Sequence, residues 1–148
     1  MTVPIKYPVA LAAVFVWLGF VCAISFMEAW LKFRAPGITL PLGLGIGRLV
    51  FAALNKVEWV LAIAVAANLL LTRPLGFSPK TWLFLLPLAI LVFQTIWLLP
   101  ALDARAELHI TGQHVPPSNL HFYFVGLELA KVLALAAFGI SLFKKIAT

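Results

Sequence analysis

The stretch LPALDARAELHITGQHVPPSNLHFYFVGLELAK, residues 99–131, decides the fold of this chain. It contains three of the five acids and all three histidines, whereas Leu, Ala, Val, Ile and Phe dominate the sequence on both sides. The segment from Thr111 to Ser118 contains Pro116 and Pro117 and predicts a turn, and Ser118 stands at the N-cap position of the apolar run that follows. The stretch is therefore the polar end of one helix, a turn, and the beginning of another helix.

The composition predicts an integral membrane protein with a single domain over residues 1–148. The mean hydropathy is +1.07, and 64% of the residues are hydrophobic. Only 11% are charged, where soluble domains have roughly a quarter. A net charge of +6 would indicate nucleic acid as a partner of a soluble protein. Here we expect the lipid bilayer as the environment and no nucleic acid, because membrane topology accounts for the cations.

Four apolar segments are long enough to cross a hydrocarbon core of ~30 Å, which takes about 20 helical residues. They define helix 1 from Pro8 to Phe33, helix 2 from Leu44 to Leu71, helix 3 from Thr81 to Leu99 with a polar extension to Ile110, and helix 4 from Asn119 to Phe143. The first segment is too long for a cleaved leader and is expected to remain as a helix. Because the connections are short, the sequence predicts an all-α integral membrane four-helix bundle, antiparallel and up-down-up-down.

The distribution of charge predicts the orientation of this bundle. The termini and the connection between helices 2 and 3 share one side, which carries cations and no acid: Lys6, Arg73, Lys80, Lys144 and Lys145. Loops on the cytoplasmic side are enriched in Lys and Arg. We therefore predict an inner (cytoplasmic) membrane protein with both termini in the cytoplasm and the opposite end in the periplasm or an equivalent exoplasmic space.

Every acid and every histidine then lies toward the exoplasmic end. Glu58 and Glu128 are several residues inside their apolar runs, and Glu128 is roughly 13 to 15 Å from the start of helix 4 at 1.5 Å per residue. Ionisable residues at such depth indicate function. The polar residues also follow one stripe in each helix, which in helix 1 comprises Cys22, Ser25, Glu28 and Lys32. We expect these stripes to face a polar pocket inside the bundle, since a charge that faces lipid is costly.

The convergence of acids and a histidine favours a metal-binding membrane enzyme. The candidate ligands of an iron, zinc, copper or manganese ion are Glu28, Glu58, Asp103, Glu107, His121 and Glu128. Glu58, Glu128 and His121 are the candidate catalytic residues, and Arg48, Arg105 and Lys131 the candidate binding residues for a small anionic or lipid-like substrate. Di-metal carboxylate bundles usually contain Glu-x-x-His pairs, and this chain contains none.

Two other functions fit the same residues. In a proton-coupled carrier or transporter, Glu58 and Glu128 would bind protons or the solute, and four helices would require a homo-oligomer. In a structural bundle that assists a partner protein, Glu28 would pair with Lys32 and Glu128 with Lys131. Arg48, Lys56 and Arg105 would then neutralise the remaining acids. The glycines between residues 43 and 47 predict a flexible or re-entrant entry into helix 2.

The chain also resembles a family of small four-helix membrane proteins of unknown function. That family includes a vertebrate transmembrane protein linked to resistance to platinum drugs. The likeness consists of a Trp-containing first helix, an aromatic third helix that ends in Pro100 with Arg105 nearby, and Ser118 and His121 at the start of helix 4. The family places the histidine before the serine, in the reverse order. The resemblance implies four membrane helices and no established activity.

Overall fold

The fold is a bundle of four helices, as the sequence predicts. The computed structural model describes residues 5–72 and 79–143, apart from the side chain of Lys80, and contains no strand in these ranges. Helix 1 is Pro8–Arg34, helix 2 is Leu40–Thr72, and helix 4 is Leu120–Phe143. Helix 3 comprises Pro79–Phe93, Gln94–Leu98 and Leu99–Ile110 in unbroken succession. Successive helices run in opposite directions.

The outward surface of the bundle is apolar. Leu49, Leu71, Ile96 and Leu133 each expose 70% or more of their surface. Exposed apolar faces of this extent are unusual on soluble monomers, and all four helices are long and apolar enough to cross a membrane. The chain is accordingly a multi-pass membrane protein.

The two ends of the bundle differ in packing. At the end that holds the start of helix 1 and the end of helix 4, which we call the apolar end, Val14, Trp17, Leu91, Leu135 and Phe138 form the centre of a closely packed core. At the opposite end, which we call the charged end, helices 2 and 3 stay paired. Helix 4 packs on helices 1 and 3 mainly nearer the apolar end, and it diverges from them at the charged end.

The ends of the helices have identifiable stops and caps. Gly112 adopts a φ of 71° just after helix 3. The N–H of Gly112 donates to His109 O and that of Gln113 to Leu108 O, a pair of bonds that commonly terminates helices at a glycine. At the start of helix 4 the Ser118 hydroxyl accepts the Leu120 N–H at 3.2 Å, and the predicted turn is confirmed. The N-cap itself is Asn119, whose carbonyl accepts the Tyr123 N–H, one residue later than predicted.

The prediction for the glycines of helix 2 is wrong, because residues 43 to 47 are helical and not a flexible or re-entrant entry. Helix 2 begins at Leu40, with the Thr39 hydroxyl accepting the Leu42 N–H. A Cβ at Gly43 would meet the ring of Phe33, and a Cβ at Gly47 would lie 3.1 Å from Lys32 Nζ. These glycines serve close approach between helices 1 and 2, which the sequence pattern does not distinguish from flexibility.

The orientation in the membrane remains a prediction. Arg73, Lys144 and Lys145 lie outside the described residues, as does the Lys80 side chain. Of the five predicted cytoplasmic cations, Lys6 is described, and it lies beside Tyr7 at the apolar end with its ammonium 5.5 Å from the ring centroid.

Candidate functional site

The centre of the bundle contains two carboxylates that share one ammonium. Lys131 Nζ lies 2.5 Å from Glu58 Oε1 and 2.7 Å from Glu128 Oε1. All three side chains are buried, with 3% of Glu58, 1% of Glu128 and none of Lys131 exposed. We call these three residues the triad. The predicted local pair of Glu128 and Lys131 is confirmed, and Glu58 of helix 2 joins it.

Three neutral side chains complete the hydrogen bonds of the triad. The Trp17 indole donates to Glu58 Oε1 at 2.8 Å, and the Ser25 hydroxyl lies 2.5 Å from Glu128 Oε2 as its donor. Gln94 accepts from Lys131 through Oε1 and donates from Nε2 to Glu128 Oε1, both at 2.7 Å. Every helix therefore contributes to one buried network. Among the described residues, no buried side-chain nitrogen or oxygen atom lacks a partner.

Sequence reasoning did not place Trp17 or Gln94 in the site. Gln94 is an amide inside the apolar run of helix 3, and a polar group there costs free energy unless it is hydrogen-bonded. That signal is present in the sequence, although it does not say which partner Gln94 meets. Trp17 gives no such signal, because a tryptophan in a membrane helix is as often a packing or interface residue.

Two side chains from other helices hydrogen-bond to the Glu128 carboxylate, and both lie in π-helical segments. Ser25 lies in Cys22–Glu28 of helix 1, and Gln94 begins Gln94–Leu98 of helix 3. Pro100 has no N–H for the carbonyl of Ile96 and its ring would crowd that carbonyl. The neighbouring Leu99 N–H bonds instead to Gln94 O, five residues back. Segments of this kind occur often at functional sites.

The π segment also breaks the polar stripe predicted for helix 1. Cys22 is exposed, whereas Ser25 contacts Glu128 in the interior. The predicted stripe requires 3.6 residues per turn, whereas the wider π turn rotates residues three apart away from a common face. The prediction that Cys22 faces the interior is therefore wrong.

A second charged group joins helices 2 and 3 at the charged end. Arg48 donates to Asp103 through Nε at 2.6 Å and through Nη2 at 3.0 Å, and its Nη1 contacts the Glu107 carboxylate. About a third of Arg48 and about half of each acid is exposed. The predicted neutralisation of these acids by Arg48 is present, in a position that water or head groups can reach.

The remaining charged candidates form separate contacts. Lys32 Nζ lies 3.2 Å from Glu28 Oε2, as expected from their spacing of four. Arg105 donates to the carbonyl of Pro116 at 2.7 Å and thereby ties helix 3 to the connection that follows it. It neutralises no acid through this bond, contrary to the role suggested for it in the structural alternative.

The histidines are located away from the triad. His121 is exposed and lies edge-on to Phe122 at 6.2 Å between ring centroids. It precedes Glu128 by seven residues, which separates the two by about 10 Å along a helix. His109 is half-buried near the end of helix 3, and His114 is exposed in the connection to helix 4.

A cavity of about 590 Å³ extends into the bundle from the charged end, where helix 4 diverges. All four helices line it. Its polar lining includes three cations and one acid, which are Lys32, Arg48, Lys56 and Asp103, together with His121. Its walls are largely apolar, and the Phe51 and Phe124 rings meet across it edge-on at 5.2 Å between centroids. Ser25 is a lining residue as well as a partner of Glu128.

The six predicted metal ligands do not converge. Glu58 and Glu128 share Lys131, Asp103 and Glu107 share Arg48, Glu28 pairs with Lys32, and His121 lies on the cavity wall. Over residues 5–72 and 79–143, no three side chains of His, Cys, Asp or Glu form a group that could hold a metal ion. As arranged, these side chains do not fit a metal centre, because a cation of the protein already occupies the position beside each acid.

The fold and the buried network define a multi-pass α-helical membrane protein with a Glu–Lys–Glu triad at its centre and a cavity beside it. No protein-family model, curated protein or solved structure matches the chain. The resemblance to the family that includes the vertebrate protein linked to platinum-drug resistance therefore stays a prediction.

Proposed function

We propose that the protein binds a single-chain anionic amphiphile in the cavity at the charged end. The observation that carries this proposal is the composition of the cavity wall, which combines three cationic side chains with a largely apolar lining. Its volume of about 590 Å³ falls within the range of roughly 300 to 1,000 Å³ of small-molecule sites. This is the anionic, lipid-like substrate class expected from the sequence.

The apolar part of the wall supports an acyl chain as the buried portion of the ligand. The apolar lining residues Phe51, Leu99, Phe124 and Val125 each lie farther from the charged end than Arg48, Asp103 or His121 on the same helix. Asn55 and Thr95 lie deeper and hydrogen-bond to each other at 2.9 Å. Because Thr95 Oγ1 also accepts the Trp59 indole N–H at 3.0 Å, these polar groups are already engaged and leave the surrounding wall suited to an apolar chain.

The charges of the wall support an anion as the head group. Three cations line the cavity against one acid, and Lys56 is exposed on helix 2. Arg48 presents a planar fork that can exchange a carboxylate of the protein for a carboxylate or phosphate of the ligand. Of the other predicted binding residues, Arg105 does not line the cavity and Lys131 belongs to the triad, so neither has a role in this proposal.

Binding of defined amphiphiles to purified protein tests the proposal. Native mass spectrometry in detergent would compare oleate and lysophosphatidate with zwitterionic lysophosphatidylcholine. We expect one bound molecule of the anionic compounds and weaker binding of the zwitterion. Binding of oleate but not lysophosphatidate would indicate a carboxylate head group, and binding of lysophosphatidate but not oleate would indicate a phosphate head group. Preference for lysophosphatidylcholine would contradict the proposal.

Two variants of helix 4 distinguish binding in the cavity from adsorption to the lipid-exposed surface. Val125→Trp fills the cavity, while Leu133→Trp places the same side chain on the outward face, where Leu133 is 70% exposed. We expect Val125→Trp to weaken binding by about tenfold or more, which corresponds to about 1.4 kcal/mol, and Leu133→Trp to leave it unchanged. Equal effects would indicate adsorption to the outer surface.

We propose further that the charged end faces the exoplasmic space, on the evidence of the cations at the opposite side. In a Cys22→Ser background, His114→Cys would report on the connection between helices 3 and 4. A membrane-impermeant maleimide added to intact cells should label it without permeabilisation. Labelling only after permeabilisation would reverse the orientation.

A further inference from the structure

We propose that Glu128 Oε2 is a proton-binding site that exchanges protons with the cavity through Ser25. The proposal concerns the triad, which the binding of an amphiphile does not use. It rests on the charge balance of the triad, on the chemistry of its hydrogen-bond partners, and on the position of Ser25 between the triad and the cavity.

The charge balance calls for one proton. With both carboxyls and the amine in their charged forms, the triad carries one excess negative charge. Its three members are at most 3% exposed, and an uncompensated charge in such surroundings is costly. Both Oε1 atoms touch the same Lys131 Nζ at 2.5 and 2.7 Å, so two negative charges would share one cation. One bound proton makes the group neutral.

Among residues 5–72 and 79–143, no other charged side chain described in contact with the triad supplies the missing compensation. Helix 1 faces it with Trp17 and Ser25, and helix 3 faces it with Gln94, all of them neutral. Helix 2 contributes Glu58, and helix 4 contributes Glu128 and Lys131. Lys56 is the cation nearest to Glu58 along helix 2, but residues two apart do not share a helix face, and Lys56 is exposed and lines the cavity. Lys32 pairs with Glu28, and Arg48 pairs with Asp103 and Glu107.

The hydrogen-bond partners place the proton on Glu128 Oε2. A protonated carboxyl donates and needs an acceptor. Glu58 Oε1 faces two groups that only donate, the Trp17 indole and the Lys131 ammonium. The described hydrogen bonds include no acceptor for a proton on Glu58 Oε2. Glu128 Oε1 likewise faces two donors, the Lys131 ammonium and the Gln94 amide nitrogen. The amide oxygen of Gln94 already accepts a hydrogen bond from Lys131. The Ser25 hydroxyl, 2.5 Å from Glu128 Oε2, can rotate to accept.

Ser25 also supplies the route. Of the six residues in the network, it is the one that lines the cavity. A proton that arrives from water in the cavity would reach the Ser25 hydroxyl first, and the hydroxyl would pass its own proton to Glu128 Oε2 as it takes up the new one. One proton enters and none leaves, so the triad changes from a charge of minus one to zero.

This site would link proton binding to the proposed ligand, and that link alone rests on the proposed function. The proton-free triad is negative at the inner side of the cavity and would disfavour an anion there. The proton-loaded triad is neutral. An anionic amphiphile should therefore bind the proton-loaded form in preference to the proton-free form, and its binding should oppose loss of the proton from Glu128.

Infrared difference spectroscopy of the full chain in lipid tests for the proton directly, without any ligand. We expect a C=O stretching band of a protonated carboxylic acid at neutral pH, which shifts when the protein is labelled with ¹³C-glutamate. Glu128→Gln should abolish the band, whereas the exposed acid Glu107→Gln should leave it. Absence of the band in folded wild-type protein would overturn the proposal.

The position of the proton is tested at Ser25. Ser25→Ala should shift the frequency of the band and slow its exchange in deuterated water, because the acceptor and the route are both lost. Ser25→Thr should restore the wild-type exchange rate by keeping the hydroxyl. A band that is indifferent to Ser25→Ala would place the proton elsewhere in the triad and overturn the assignment to Glu128. Amphiphile binding is measured separately, so its failure would leave this result intact.

Discussion

Lys131 Nζ of helix 4 lies 2.5 Å from Glu58 Oε1 of helix 2, in the buried centre of the bundle. The two residues are 73 positions apart in the chain, and their contact joins helices that neither follow one another nor share a connection. All four helices contribute to this contact, because Trp17 of helix 1 donates to the same Glu58 oxygen and Gln94 of helix 3 accepts from the same Lys131 nitrogen.

Removal of the shared ammonium should destabilise the protein more than removal of an exposed charge does. Lys131→Met leaves two buried carboxylates without their cation, and breaking a buried ion pair in this way costs about 3 to 5 kcal/mol. Denaturant unfolding in detergent would measure the loss. Lys56→Met on the exposed part of helix 2 is the control and should change little. Adding Glu58→Gln to Lys131→Met should restore part of the lost stability. If it restored none, the two side chains would not be energetically coupled.

Loss of the indole donor at Trp17 should be measurable while its ring is kept. Trp17→Phe removes one of the two hydrogen bonds that Glu58 Oε1 accepts and leaves the one from Lys131. A hydrogen bond to a charged group contributes about 1.5 to 3 kcal/mol. Trp30→Phe removes an indole bond to the carbonyl of Phe26 on the exposed face and serves as the control. Thermal unfolding in the same detergent should rank Trp17→Phe as the less stable variant, and the opposite order would argue against the bond to Glu58.

Two glycines of helix 4 should respond oppositely to the same change. A Cβ at Gly139 would meet Phe15 and Val14 of helix 1 at 3.1 to 3.2 Å, whereas one at Gly126 would meet nothing within 4 Å. Gly139→Val should therefore cost about 1 to 3 kcal/mol by overpacking. Gly126→Val should be neutral or slightly stabilising, since glycine is a poor helix former. Comparable melting temperatures would show that helices 1 and 4 can separate at this point without loss.

Elemental analysis tests the metal centre predicted from the sequence. We expect less than stoichiometric iron, zinc, copper and manganese in the purified protein, because Lys131, Arg48 and Lys32 already neutralise the acids that would serve as ligands. Treatment with a chelator should leave the unfolding midpoint unchanged. Stoichiometric metal that disappears in both Glu58→Ala and Glu128→Ala would instead establish the predicted centre and require the ion pairs to rearrange around it.

Much of the local structure could be predicted from the sequence because it depends on short-range rules. The turn before helix 4 follows from Pro116, Pro117 and Ser118. The pairs of Glu28 with Lys32 and of Glu128 with Lys131 follow from helical spacing, since residues three or four apart meet on one face. The spacing rule failed at Cys22, where the helix changes to a π turn. The interpretation of the glycines of helix 2 as flexible failed for a different reason, because close packing requires them.

The sequence by itself determined the class of the protein. Four apolar runs of membrane length, joined by short polar turns, allow few arrangements other than an antiparallel bundle, because backbone polar groups in lipid must be satisfied within each helix. It also identified Glu58 and Glu128 as unusual, since each is an ionisable residue deep in an apolar run.

Only the tertiary structure decided which of the charged residues meet. Asp103, Glu107 and His121 share the charged end with Glu28 in the sequence pattern, yet helix rotation and the divergence of helix 4 distribute them among separate contacts. Rotation about a helix axis depends on packing against three other helices at once. That information lies in no single segment, and it is the reason that Trp17, Ser25 and Gln94, and not a histidine, surround the triad.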